Sequence, residues 1–184
     1  MMKQGSKPDP RLAFISAETF LEVGNVVVAA IQGGNRRILA LAVATNAAFA
    51  LEMYLKCLLF LEQGKAPRDH NLHKLFHALS GTTQSELTKD HEKFLDSHPE
   101  VVATAREIGL PTDLEELLKC GRNAFTDFRY AHEEIPLETD LGLGGLMYCV
   151  RERILNLQPS WKSALQETAD AAALRAAHRR DPEK

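Results

Sequence analysis

The sequence has no excess of charge of one sign: 22 Lys and Arg stand against 25 Asp and Glu, a net charge of −3. A sequence-blind nucleic-acid binder is basic over its whole surface, so any contact with RNA or a nucleotide has to come from a local basic patch. Cysteine is scarce. Cys57, Cys120 and Cys149 are far apart, form no CxxC pair and each falls in an apolar helical stretch; they read as buried thiols, not disulfides or metal ligands. The odd count, with no secretory leader ahead of it, points to the reducing cytoplasm. There is no P-loop, GxGxxG, GxSxG or HExxH, which leaves NTPase, dehydrogenase, serine hydrolase and zinc protease chemistry without support and calls for no cofactor. Strand patterns are nearly missing too: the β-branched run Val26-Val27-Val28 sits inside a helical repeat.

What is present is an ordinary globular composition, 45% hydrophobic and 26% charged over 184 residues, enough for one all-α domain with a continuous core. Phe14, Ala17, Phe20/Leu21, Val27/Val28 and Ile31 recur at spacings of three, four and seven and mark a helix over about residues 10–32, stopped by Gly33-Gly34. A second and much longer helix runs over about residues 36–63, capped by Asn35 and ended by Gly64. It is apolar enough to suggest a membrane span, but it carries Thr45, Asn46, Glu52 and Lys56. A Glu–Lys pair at i, i+4 is an ordinary device of a water-soluble helix and is expensive at mid-bilayer, so the reading is the buried centre of an antiparallel bundle, with no membrane. A short helix follows over about residues 71–79, broken by Gly81-Thr82-Thr83, then two short polar-faced helices over about residues 83–98 and 99–108. Thr112 with Glu115 makes a capping box for a helix over about residues 113–133. Two more helices are expected over about residues 143–157 and 159–180.

Three groups of residues invite chemistry. Glu52 and Lys56 lie in the apolar helix, where unpaired charge is costly; they are expected to pair with each other or with an arginine opposite. His70, His73 and His77 have a spacing that can hold a metal on a helix face, but only Asp69 is an adjacent acid, so no metal is assigned. His70 itself reads as a local turn or cap ahead of Asn71. The third group is Arg122-Asn123-Ala124-Phe125-Thr126-Asp127-Phe128-Arg129-Tyr130-Ala131-His132.

Together, Ala50-x-Glu52-x-x-x-Lys56, then His70-x-Leu72-x-x-Leu75-Phe76, then a helix opening on Arg122-Asn123 resemble the HEPN family, small helical domains of prokaryotic toxin–antitoxin, defence and stress systems. The resemblance covers about residues 36–133 and implies a HEPN-like bundle of four or five helices, core about residues 10–157, that forms a homodimer and has an antitoxin protein as partner in a toxin–antitoxin setting. In HEPN ribonucleases the working motif is Arg, a polar residue, and a His after four to six intervening residues, and cleavage is metal-independent. Arg122-Asn123 matches its start, while Asp127, Phe128 and Arg129 stand where the His belongs and the nearest His is His132.

On one continuous helix, at about 100° per residue, Arg129 lies about 20° from Arg122 and His132 about 80° from it. Arg122, Arg129 and His132 would then share a polar stripe able to bind phosphate, with the imidazole as general base. The same arginines also have structural partners in reach in Glu52, Glu115, Glu116 and Glu133. Two functional readings stay open. One is an endoribonuclease with Arg122 and His132 as its catalytic pair. The other is a non-enzymatic dimeric module that binds a protein, RNA, nucleotide or other phosphate-bearing ligand through Arg122, Asn123, Asp127 and Arg129, with Glu52 and Lys56 behind them. A helical adaptor unrelated to HEPN is a third.

Overall fold

The computed structural model describes residues 9–30, 36–129 and 143–162, and the elements among them are all α-helices. The chain separates into two compact units, residues 1–151 and 152–184, with the boundary inside a helix. The first begins with an antiparallel pair, α1 (Pro10–Ala30) and α2 (Arg36–Gln63). Their register is read from side chains that meet across it. The Cys57 thiol donates to the Pro10 carbonyl at 3.2 Å, and the Phe14 and Tyr54 rings lie 5.9 Å apart. Farther along, Phe20 meets Phe49 edge-on at 4.4 Å.

Leu51, Leu55, Leu58 and Leu59 of α2 are fully buried, each stabilising the fold by about 1.5–3 kcal/mol relative to exposure. Ala42–Gln63 is long and apolar enough to cross a membrane by length and composition, yet its apolar side chains pack against α1 and the helices that follow. The Tyr54 hydroxyl donates to Glu18 Oε1 at 2.6 Å, and Arg151 closes the same carboxylate from α8 (Leu143–Leu157), Nε to Oε1 at 2.7 Å. Burial first, and then the Glu18 bond, push the Tyr54 hydroxyl up, so it stays a donor.

Gly64, at φ 69°, ends α2 in the left-handed conformation a glycine takes without strain. After a loop comes α3 (Leu72–His77), then α4 (Gly81–Ser97) and α5 (Pro99–Glu107). As expected, α3 ends before Gly81-Thr82-Thr83, but the next helix opens at Gly81 itself and not at Thr83. Ser80 caps that helix, its Oγ accepting the Thr83 N–H at 3.2 Å. Glu62 of α2 reaches the same terminus and accepts the Ser80 N–H at 3.0 Å and the Thr83 hydroxyl. Orphan donors satisfied in this way make glycine tolerable at a first helical position.

The helix expected as continuous over residues 113–133 is two helices, α6 (Leu114–Cys120) and α7 (Ala124–Arg129), separated by the turn Gly121-Arg122-Asn123. The cap of α6 is Asp113 rather than Thr112, its Oδ1 accepting the Glu116 N–H at 2.9 Å. Leu143 packs closely on this turn: a Cβ on Gly121 would lie 2.6 Å from Leu143 Cδ1. The break has a bonding cause, since Asn123 C=O starts α7 afresh by accepting from the Thr126 and Asp127 amides at 2.8 and 2.9 Å. Cys120, expected to be buried, is exposed at the end of α6, while Cys57 and Cys149 are buried. Burial pushes the two buried thiols up, to about 12 and about 11.

In the second unit, the end of α8 closes with the Gln158 N–H on the Ile154 carbonyl at 2.8 Å, and Trp161 and Lys162 begin a new helical turn after Pro159. The rest of the helix expected up to residue 180 lies outside the described residues.

Candidate functional site

The inner face of α2 carries Glu52, fully buried at 0% exposure. A carboxylate in that position has to be matched by charge and hydrogen bonds, and two groups supply them. Lys56, one turn on, places Nζ 2.7 Å from Oε1. His70, in the loop between α2 and α3, sets Nδ1 3.0 Å from both carboxylate oxygens. Because the carboxylate accepts, Nδ1 is the donor, and Nε2 is turned away from Glu52 on a side chain that is 60% exposed.

The loop is held by its own short-range bonds. Asp69 Oδ1 accepts the Asn71 N–H at 3.0 Å; that bond, ahead of the neighbouring Lys74, keeps the Asp69 carboxyl below the usual carboxylate range. Asn71 caps α3, its Oδ1 accepting the Lys74 N–H at 2.9 Å. Its amide nitrogen points the other way and donates to Asn123 Oδ1 at 3.4 Å. Beside it, the Leu72 N–H donates to the Arg122 carbonyl at 2.8 Å. The Phe125 ring fills the space beneath, 4.9 Å from Phe49 and 5.8 Å from the His70 ring.

Glu52, Lys56, His70, Asn71, Arg122 and Asn123 therefore come from three separated stretches of sequence and meet at the start of α3, Arg122 through its backbone carbonyl. Glu52 and Lys56 pair as expected. Arg122 is exposed and makes no ion pair among the described residues: Glu52 is taken by Lys56 and His70, Glu115 by His73 and His77, and Glu116 by Lys119. Asp127 is half-buried in the first turn of α7.

The stripe of Arg122, Arg129 and His132 along one helix is not built in that form. Arg122 lies in the turn before α7, so angles counted along a continuous helix do not apply to it. The Arg129 side chain and all of Glu133 and His132 lie outside the described residues. His70 is the residue that sequence reasoning missed: it was read as a local cap, whereas Asn71 does the capping and His70 completes the shell of Glu52. The signal was Glu52 itself, since a buried carboxylate with one lysine still has acceptor positions to fill.

An imidazole anchored through Nδ1 on a carboxylate, on an exposed side chain, is oriented as a general acid or base would be. An exposed guanidinium with no carboxylate partner among the described residues is suited to a phosphate, which it can grip with two parallel hydrogen bonds. No family model, curated protein or solved structure matches the chain.

Proposed function

We propose that the chain is a HEPN-like helical protein of a prokaryotic toxin–antitoxin, defence or stress system, and that it binds RNA or a nucleotide through Arg122 and Asn123. The observation that carries this is the convergence of the three segments on which the resemblance rests. Glu52–Lys56, His70–Asn71 and Arg122–Asn123 meet through the His70–Glu52, Asn71–Asn123 and Leu72–Arg122 bonds. A net charge of −3 gives no general attraction for nucleic acid, so affinity has to be local, with Arg122 at its centre. The resemblance brings with it a homodimer and an antitoxin protein as partner.

The test is fluorescence anisotropy with a short single-stranded RNA and with ATP as separate probes, comparing wild type with Arg122→Ala. The expected result is at least about a tenfold loss of affinity, in line with the ~1.5–3 kcal/mol of a charge-assisted hydrogen bond, with an unchanged unfolding temperature. Equal affinity of the two proteins for both probes overturns the proposal.

A second reading, metal-independent RNA cleavage, is favoured by one observation: the Glu52–His70 pair leaves an oriented imidazole Nε2 facing outward from the cluster that contains Arg122 and Asn123. In that reading His70 takes the proton from a ribose 2′-hydroxyl, whose oxygen bonds to phosphorus as the P–O5′ bond breaks; the departing 5′-oxygen takes a proton from water, a 2′,3′-cyclic phosphate is left, and Arg122 neutralises the phosphate. Incubation of RNA with purified protein in EDTA, for wild type, Arg122→Ala, His70→Ala and His132→Ala, decides it. Cleavage lost in Arg122→Ala and His70→Ala but kept in His132→Ala supports it, and equal background in all four ends it.

A further inference from the structure

On the opposite side of α3 from the Glu52 cluster, His73 and His77 stand one helical turn apart with ring centroids 4.4 Å from each other. Both turn Nε2 toward one carboxylate, that of Glu115 on α6. His73 Nε2 lies 2.8 Å from Oε1 and His77 Nε2 lies 2.9 Å from Oε2. One ligand atom from each of the three residues falls within 4.8 Å of the others. The sequence supplied the two histidines but hid the acid, which comes from a helix far along the chain.

A further contact sets the orientation of His77. Its Nδ1 lies 3.1 Å from Gln84 Oε1, and the Gln84 amide nitrogen is committed to the Leu79 and His77 carbonyls at 2.8 and 3.3 Å. The Gln84 oxygen is therefore the acceptor and His77 Nδ1 the donor, which leaves Nε2 for Glu115, joined to it through a proton in the metal-free protein or through a cation in the proton's place. An outer-shell partner that fixes the tautomer in this way is what ligating histidines ordinarily have. A nitrogen lone pair set against a carboxylate oxygen is stabilised by a cation between them.

We propose that His73, His77 and Glu115 form a binding site for a divalent transition-metal ion of the zinc class. Two imidazoles and a carboxylate match the ligand preference of that ion, and water completes the tetrahedron. With bonds of about 2.0–2.2 Å, ligand atoms around a tetrahedral ion are about 3.3 Å apart. The two His–Glu separations have to widen by roughly half an ångström, and all three ligand atoms, now within 4.8 Å of one another, have to close around the ion, an adjustment open to partly exposed side chains. Lys119 is the resident competitor: it lies 3.8 Å from Glu115 Oε1 and 2.9 Å from Glu116, and it yields to a doubly charged ion. The bound ion would join α3 to α6 at a point independent of the Arg122 turn, so the site stands whether or not RNA is the ligand.

The experiment is titration of the untagged, EDTA-stripped protein with Zn2+ against a chromophoric chelator, together with the unfolding temperature with and without Zn2+. Wild type is expected to take up one ion per chain and to unfold at a higher temperature with it. All three ligands are at least partly exposed, so His73→Gln, His77→Gln and Glu115→Gln keep the fold, and each is expected to lose both effects. Gln84→Ala weakens uptake by about tenfold, while Lys119→Ala strengthens it. Co2+ in place of Zn2+ reads the coordination: intense visible bands accompany a four-coordinate site. Uptake that is the same in wild type and the three ligand variants, or no uptake at all, overturns the proposal.

Discussion

Leu72 donates its backbone N–H to the Arg122 carbonyl at 2.8 Å, and that single bond ties the first residue of α3 to the turn between α6 and α7. It explains two features at once. The Arg122 carbonyl is withdrawn from helical bonding, so a stretch with helical composition breaks there. The Leu72 amide, an orphan donor at a helix N-terminus, is satisfied by a remote chain segment instead of by its own cap.

Asn71 works beside this bond with both ends of its side chain, capping α3 through Oδ1 and reaching Asn123 through Nδ2. Asn71→Ala is expected to cost about 1–2 kcal/mol, the range for loss of a helix N-cap. Asn71→Asp keeps the acceptor and loses the donor, so it is expected to cost less than half as much. Urea unfolding of the three proteins checks this, and an aspartate variant as unstable as the alanine one would place the stability in the Asn123 contact rather than in the cap.

Glu52 is balanced by Lys56, whose side chain is only 14% exposed, and by His70. Glu52→Gln leaves that ammonium largely buried without its counter-charge and is expected to destabilise by about 3–5 kcal/mol. The double change Glu52→Gln with Lys56→Met removes both charges, keeps the volume and is expected to recover most of the loss. Chemical denaturation of the single and double variants measures the difference. A double variant no more stable than the single one contradicts the charge argument and leaves His70 as the important partner.

Much of the fold was legible because its strongest signals are local. The apolar length of α2, the Gly64 stop, the Pro99 start of α5 and the periodicity of α8 are each carried by neighbouring residues, and they place those helices within a residue or two. What was not legible depended on contacts between distant segments. Ser80 and Glu62 turned a glycine from a helix breaker into a helix start. The bond from Leu72 takes up the Arg122 carbonyl where the expected helix breaks. The Glu52–Lys56 pair could be read from the i, i+4 spacing, but His70 joined it through a loop whose path no periodicity reports. Glu115 joined His73 and His77 in the same hidden way.

Gly121, in the turn between α6 and α7, is where Leu143 packs onto the backbone. Its φ is −86°, which any residue adopts, so the requirement is space: an added Cβ would stand 2.6 Å from Leu143 Cδ1 and 3.3 Å from the Leu117 carbonyl. Gly121→Ala is expected to cost about 1–3 kcal/mol, the usual range for overpacking. Leu143→Ala is destabilising alone through the cavity it leaves, but combined with Gly121→Ala the two are expected to cost less than their sum. Strict additivity of the four unfolding free energies would show that the two residues do not meet.

His91 of α4 gives the molecule a pH dependence. It is 1% exposed, and neither ring nitrogen makes a hydrogen bond of good geometry among the described residues, the Thr112 backbone being the nearest polar group that bears on it. Burial pushes its pKa below the ordinary 6.5, against weaker pulls in the other direction from the Thr112 backbone, Glu92 on its own helix and Asp113 at the start of α6. A histidine with a lowered folded pKa binds its proton more readily when unfolded. Its neutral form therefore contributes stability above about pH 6.5, and that stability is lost as the pH falls below it, by at most about 1.4 kcal/mol per pH unit. The carboxyls held low by hydrogen bonds, Asp69 and Glu115, act in the same direction only below their ordinary values of 3.8 and 4.5, so the interval from pH 7.5 to 5.5 separates the two effects. Over that interval the urea midpoint of wild type is expected to fall, and that of His91→Leu to fall less. Parallel decline of the two proteins would assign the acid sensitivity to other groups and remove His91 from the account.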